Sequence, residues 1–312
     1  MSMELDYSVV ATTFNDEKSV KRFISELSAQ TLQPKEIIIA DGGSKDKTVE
    51  ILHDLSKKSA IPIVVLSGKR LNIAEGYNTA IKNANYNIIG ITGLGNRYAI
   101  DYFEKLANKM VEGNLDGTYS PIRGLNTTSF SKRYNKDILN GEIGQRMEIA
   151  SNHGVLLKKK IFDELGYFYE RFIYAGEDTE FFLWVKDSGY KMEIVPDAEV
   201  RWETPESLFE LKKQTKVYSI AGLQINPYDQ FVMVEKNLLK IILALVITAS
   251  YITILVFPTA FEYKAIATFG ALILLIALRK KICLLKIIQK ILQIYYTITN
   301  RKYAKEEYRV KR

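Results

Sequence analysis

The acidic groups that could do chemistry in this chain fall in two short stretches. In the first, Asp41-Gly42-Gly43-Ser44 follows the apolar run 37–40, with Asp46 close behind. An ionised carboxylate only accepts hydrogen bonds, so Asp41 suits the N–H edge of a nucleobase or a ribose hydroxyl. Gly42 and Gly43 permit positive φ or close approach to a ligand. Without a ligand, the same residues make a plain strand-to-helix turn capped by Ser44 or Asp46. In the second stretch, Glu177 and Asp178 open the helical run TEFFLWVKDSG. Two acids in a first turn complement the helix macrodipole. Adjacent side chains also diverge, so one can face a cleft while the other holds the loop. Lys69 and Arg70 could meet a diphosphate or sit in a solvated basic turn. His153, alone beside a strand, is expected to be a polar, partly buried spectator and not a base or ligand.

Elements must hold these groups in place. Residues 7–13 and 36–40 read as strands rich in β-branched residues. Asn15 or Asp16 can cap a helix reaching 29, in which Val20, Phe23, Ile24 and Leu27 share a face. A second helix opens at Thr48, residues 61–66 form a third apolar run, and 87–92 a fourth strand. Such alternation predicts a parallel sheet covered on both faces, presenting ligand groups at the carboxyl ends of its strands. A helix over 101–113 and a strand over 115–120 follow. Residues 121–150, with Asn126, Thr127, Thr128, Lys132, Arg133 and Arg146, read as a long irregular segment of the kind that carries function. Strands at 190–195 and 198–202 and a helix at 207–223 come last.

Three motifs stand in order along the chain: YSVVATTFND, IIIADGGSKDKT and AGEDTEFFLWVKDSGYKMEIVPDAEVRW. In that order and spacing they resemble the family 2 glycosyltransferases of the GT-A fold. The usual forms there are SVVIPTYN, DDGSxDxT and a late Glu-Asp followed by G-Y and a V-P-D-A strand. The resemblance covers about residues 7–218 and implies an α/β, Rossmann-like, mostly parallel sheet. It also implies inverting transfer, of hexosyltransferase type, from a nucleotide-sugar donor. Asp178 would be the general base, with Glu177 supporting it. Thr13, Asn15, Asp41 and Asp46 would bind nucleotide and donor, with Asp41 on the base. Residues 67–84 would lie over the donor; Ala74, Gly76 and Asn78 match that segment, whereas Tyr77 stands where an arginine is usual.

The resemblance breaks at the metal. Gly93-Leu94-Gly95-Asn96-Arg97 occupies the place of the family's Asp-x-Asp, whose carboxylates hold Mg²⁺ or Mn²⁺ against the departing diphosphate. Trp202 replaces the metal-side histidine that ends the V-P-D-A strand in many relatives. No metal ligand is assigned here, and Arg97 is the nearest cation for the leaving group. The rival expectation is a membrane-tethered GT-A-like module that binds or scaffolds without catalysis. Val217 and Tyr218 replace the arginine and tryptophan of the processive Gln-x-x-Arg-Trp motif, which argues against processive chain growth.

Composition bounds the rest. Residues 237–312 hold 13 Lys and Arg against 3 Asp and Glu, while 1–236 hold 30 against 33. A near-neutral body with a basic tail argues for anionic lipid and against nucleic acid. The single Cys283 rules out an internal disulfide or a cysteine-built zinc site, and MSMELDYS has no apolar core of a secretion signal. Residues 241–257 carry no charge and are about long enough to span a bilayer. Residues 265–278 form a shorter span, followed by Arg279-Lys280-Lys281, which places that end in the cytoplasm. In 281–300, Lys286, Gln289, Lys290 and Gln293 oppose Ile287, Ile288, Ile291, Leu292 and Ile294, the pattern of an interfacial helix. The expected order is a catalytic domain over 1–223 and a linker over 224–236. A transmembrane hairpin over 237–278 and a basic amphipathic helix and tail over 279–312 would follow. The enzyme would then be a multi-pass cell-membrane protein with a cytoplasmic catalytic domain, acting on a lipid-linked or polysaccharide acceptor.

Overall fold

The computed structural model describes residues 5–139, 149–172, 174–256 and 284–305. It divides into two compact units, Met1–Glu206 and Ser207–Arg312.

The first unit is built on a seven-stranded sheet. Its strands are β1 (Ser8–Thr13), β2 (Glu36–Asp41), β3 (Ile63–Leu66), β4 (Ile88–Ile91), β6 (Gly117–Tyr119), β8 (Val155–Lys158) and β9 (Met192–Ile194). The order is β3-β2-β1-β4-β8-β6-β9, and only β8 runs against its neighbours. A second sheet sets β10 (Val200–Glu203) between β5 (Asn96–Tyr98) and β7 (Ile122–Leu125). The run Ile37-Ile38-Ile39-Ala40 is fully buried because both faces of β2 are covered. Side chains alternate across a strand. Ile37 and Ile39 therefore join a core with Val20, Phe23, Ile24 and Leu27 of α1 (Val20–Ser28). Ile38 and Ala40 join the opposite core, with Ala74, Tyr77 and Ile81 of α3 (Ile73–Lys82). Burying each such Leu, Ile or Phe contributes about 1.5–3 kcal/mol before the entropy cost of ordering it.

Helix α3 starts where it does because Asn72 and Glu75 form a reciprocal capping box. It then crosses the end of β1 so closely that a Cβ on Gly76 would lie 2.2 Å from Thr12 Oγ1. Helix α2 (Thr48–Ser56) and helix α4 (Tyr102–Glu112) fall where the sequence puts them. The irregular segment expected over 121–150 is ordered in its described part. It contains β7 and helix α5 (Ser129–Asp137), whose start is fixed by a Thr128–Ser131 capping box; Arg146 lies outside the described residues. Helices α6 (Lys160–Leu165) and α7 (Glu177–Asp187) complete the unit.

The second unit begins at Ser207, whose side chain caps α8 (Leu208–Ile225), so the division falls ahead of residue 223. The expected linker over 224–236 is corrected by the chemistry of one residue. Asn226 ends α8, and its Oδ1 accepts from Asp229 N at 3.1 Å. With Pro227 in the first helical position, where a missing N–H costs nothing, the chain turns directly into α9 (Pro227–Val256). Gln230 Nε2 donates to Thr297 Oγ1 at 3.0 Å, tying α9 to α10 (Leu284–Thr299). The expected transmembrane hairpin is not carried by the described residues, among which no helix is long and apolar enough to cross a membrane. Its second arm, 265–278, lies outside them. In helix α10, Leu285, Tyr296 and Thr297 are buried, while Ile287, Ile291, Tyr295 and Ile298 are exposed.

Candidate active site

The loops after β1 and β2 form one hydrogen-bonded body. Asp41 is 2% exposed, and its Oδ2 accepts from Gly43 N and Ser44 N, both at 3.0 Å. Gly43 sits at φ +92°, a conformation that favours glycine. Asn15 also has positive φ, 56°, and is held there from both sides. Its N donates to Ser44 Oγ, and its Oδ1 accepts from Lys45 N, each at 2.8 Å. Thr13 Oγ1 donates to Asp16 Oδ2 at 2.8 Å. Asp46 accepts from Thr48 N and Glu17 N. A desolvation push upward is outweighed by these bonds, so the Asp46 carboxyl lies below its usual range. Thr13, Asn15, Asp41 and Asp46 are thus brought together, with Asp46 spent on holding the two loops.

The loop carrying Lys69 and Arg70 backs onto this turn. A Cβ on Gly43 would meet Arg70 Cα at 3.4 Å and Lys69 O at 3.6 Å. Both cations are exposed and have no ion-pair partner among the described residues. Arg97 is placed differently. Its Nη2 pairs with Glu203 at 2.8 Å and its Nε lies 3.9 Å from Glu26. Arg97, which the sequence offered as the leaving-group cation, is thus paired with Glu203 and shares Glu26 with Arg22.

The second centre gathers around Glu177 and Asp178. Glu177 is buried, and desolvation, then the charge on Asp178, pushes its carboxyl up to about 8. Asn152 bridges the pair, its N donating to Asp178 Oδ2 and its Nδ2 to Glu177 Oε1, each at 3.3 Å. Asp178 Oδ1 accepts from Thr179 N at 2.7 Å. Behind the acids, Tyr77 donates to Thr92 O at 2.8 Å, and burial holds its phenol neutral, far above its usual range. Tyr77 follows Gly76, the residue pressed onto Thr12, so α3 links the loops after β1 and β2 to the acid pair. Asn78 of the same helix exchanges two hydrogen bonds with the Phe168 backbone, fixing the segment that leads into α7.

Neutral side chains fill the place of the absent carboxylates. A Cβ on Gly93 would meet Asn96 Nδ2 at 3.3 Å and Tyr77 Oη at 3.9 Å. Tyr98, Asn96 and His153 form a connected network there, and the His153 ring lies 5.1 Å from that of Trp202. Among the described residues no three His, Cys, Asp or Glu side chains gather to hold a cation. A phenol, an imidazole and one amide, with no carboxylate among them, fit a hard divalent ion poorly, since such an ion is usually held by at least one carboxylate.

Sequence reasoning named the acids and the turn and gave no role to Tyr77, Asn96, Tyr98 and Asn152; His153 is half-buried, as the sequence led one to expect. The signal for Asn96, Tyr98 and Asn152 was slight. Asn152-His153 precedes a strand of no special composition, and only the antiparallel pairing of β8 with β4 carries that strand's start beside Gly93.

A mostly parallel sheet crossing to a small second sheet, with its carboxylates at the strand ends, is the GT-A-like glycosyltransferase arrangement. The solved mannosyltransferase PcManGT from Pyrobaculum calidifontis, in complex with GDP-Man and Mn²⁺, shares this fold. Its TM-score is 0.67 at 14% identity, covering 96% of this chain and 88% of that one. S. aureus TarS matches at TM-score 0.52 and 17% identity, over 71% of this chain and 40% of that one. The model of Glycosyl transferase family 2 matches residues 8–168, and that of Glycosyl transferase family group 2 matches 107–291. The chain belongs to glycosyl transferase family 2 and is a transferase enzyme. Among curated proteins it is 26% identical to a Methanococcus voltae enzyme over 70% of this chain and 73% of the relative. That enzyme is a dolichyl N-acetyl-α-D-glucosaminyl phosphate 3-β-D-2,3-diacetamido-2,3-dideoxy-β-D-glucuronosyltransferase. An uncharacterized glycosyltransferase, EpsJ of Bacillus subtilis (strain 168), is 28% identical over 35% of this chain and 31% of its own length.

Proposed function

We propose that this enzyme moves one sugar from a nucleotide-sugar donor to a hydroxyl of a lipid-linked or polysaccharide acceptor, with inversion. The observation that carries the mechanism is the asymmetry of the acid pair. Glu177 is buried and its carboxyl is pushed up to about 8, whereas Asp178 is half-buried and so is the member of the pair that an acceptor can reach. An acceptor hydroxyl gives its proton to Asp178 while its oxygen bonds to the anomeric carbon. The bond from that carbon to the diphosphate oxygen breaks, and its electron pair leaves with the nucleoside diphosphate. Asp41 takes the nucleotide base. Lys69 and Arg70, beside the turn and without carboxylate partners, take the diphosphate.

The acceptor class is supported by the dolichyl-linked substrate named for the Methanococcus voltae relative. Placement at the cytoplasmic face of the cell membrane is supported by the uncharged run 241–257, the basic stretch 237–312 and the exposed isoleucines of α10. Gly93 and Gly95 favour one second reading, a GT-A-like module that binds without catalysis.

The test is turnover of UDP- and GDP-sugars by the purified full chain, with and without EDTA. Release of the nucleoside diphosphate that survives EDTA and is lost in Asp178→Asn is the expected result. Loss in EDTA with recovery on Mn²⁺ would put a cation where the described side chains offer no ligand set. Nucleotide binding without turnover of any donor would favour the binding module.

A further inference from the structure

The network at Gly93 fixes the protonation of His153 by elimination. Tyr98 Oη donates its only proton to the His153 carbonyl at 2.8 Å, so towards Gly93 N and Asn96 it must accept. The Asn96 atom facing both Tyr98 Oη and the His153 carbonyl, at 3.1 and 2.9 Å, must therefore be its amide nitrogen. That leaves Asn96 Oδ1, a pure acceptor, 3.0 Å from His153 Nδ1. Nδ1 consequently carries the proton. Nε2 is left with a lone pair, and it has no hydrogen-bond partner among the described residues. It is also absent from the polar atoms sealed in the core without one. Tyr98 and Asn96 are themselves buried, so the lock is shielded from competing water. Desolvation keeps the imidazole neutral against the opposing pull of Asp178.

We propose that His153 is a substrate-positioning residue, held as the Nδ1–H tautomer so that Nε2 accepts a hydrogen bond from a sugar hydroxyl beside Asp178. This rests on the transfer reading of the Glu177–Asp178 centre. A neutral acceptor complements a hydroxyl and, unlike a second carboxylate, adds no like charge next to the base. It also gives a use to the site that lost its carboxylates. There, the Trp202 ring and the Asn96 amide hold an imidazole in place of a cation cage.

The tautomer is read first, on the free protein. The chain has two histidines, His53 and His153, so long-range proton–nitrogen NMR of histidine-labelled protein, with His153→Asn for assignment, isolates the ring. The expected result is a protonated Nδ1 and a lone-pair Nε2; a protonated Nε2 would overturn the proposal. The second reading compares two variants in turnover of whichever UDP- or GDP-sugar the wild type uses. His153→Asn keeps a donor near Nδ1 and loses the distal acceptor, whereas His153→Gln offers an amide oxygen near Nε2. A positioning role predicts a loss of about three- to tenfold in His153→Asn and a smaller loss in His153→Gln. A rise in KM for the nucleotide sugar assigns the hydroxyl to the donor, and a rise for the acceptor assigns it there. If the residue only props up Asn96, the order reverses and His153→Asn is the healthier variant, which refutes the proposal. Absence of turnover in the wild type with a correct tautomer would count against the transfer reading instead.

Discussion

The two halves of the active site are built from opposite materials. On the side proposed to hold the nucleotide, Asp41, Asn15 and Asp46 bond mostly to backbone amides within the two loops, at 2.8–3.3 Å. On the acid side, Glu177, Asp178, Asn152, Tyr77, Asn96 and His153 come from four separate stretches of chain and meet side chain to side chain or reach a distant backbone. Backbone donors are present whatever the neighbouring residues are, so the first half tolerates drift. The second half works by excluding water, and its protonation depends on every neighbour. The difference teaches where fragility lies: the turn is preorganised, while the acid centre is tuned.

The largest expected effect would break the comparison at its functional end. Asp178→Asn removes the base and should cut turnover by about 10²–10⁴-fold, while nucleotide affinity measured by calorimetry stays near wild type. A comparable loss of nucleotide affinity would mean the halves are not separable. Asp41→Ala attacks the other half. Losing hydrogen bonds to a buried charge costs about 1.5–3 kcal/mol, so nucleotide affinity should fall roughly ten- to hundredfold. Unchanged affinity would remove Asp41 from the nucleotide site.

A titration of stability sharpens the contrast. The folded-state pKa of Glu177 is raised to about 8 from a usual value of 4.5, so between these values the native state holds a proton that the unfolded chain gives up. Stability from this group is therefore full below its unfolded pKa and is lost as pH rises through the folded one, with a slope of at most about 1.4 kcal/mol per pH unit. Urea midpoints of Glu177→Gln should fall less steeply between pH 5 and 8 than those of wild type; parallel curves would show the carboxyl is not desolvated. The smallest effect is expected at Arg97. Its pairs with Glu203 and Glu26 are partly exposed, so Arg97→Ala should cost about 0–1 kcal/mol in stability and leave turnover within roughly threefold. A hundredfold loss of turnover would restore Arg97 to the leaving group.

How much was legible follows from the range of each interaction. The alternation of strand and helix, the inward face of α1 and the Asp41 turn were readable because they depend on residues within one or two turns of each other. The capping box at Thr128–Ser131 was equally local, yet it was passed over because the surrounding 121–150 has little apolar periodicity. Arg97 was assigned by its nearness in sequence to Gly93 and Gly95. Its actual partner, Glu203, is 106 residues away.

By itself, the sequence determined most of the strands and helices and the turn after β2, which are set by local backbone preference and by apolar period. The acid pair was picked out by resemblance to the family's motifs. Only the tertiary structure decided what lies around the acids. The antiparallel entry of β8 beside β4 sets Asn152 and His153 against Asn96 and Asp178, and the small sheet carries Glu203 to Arg97. Protonation of Glu177 and His153 depends on desolvation by those distant neighbours, a property of the packed interior that no stretch of sequence contains.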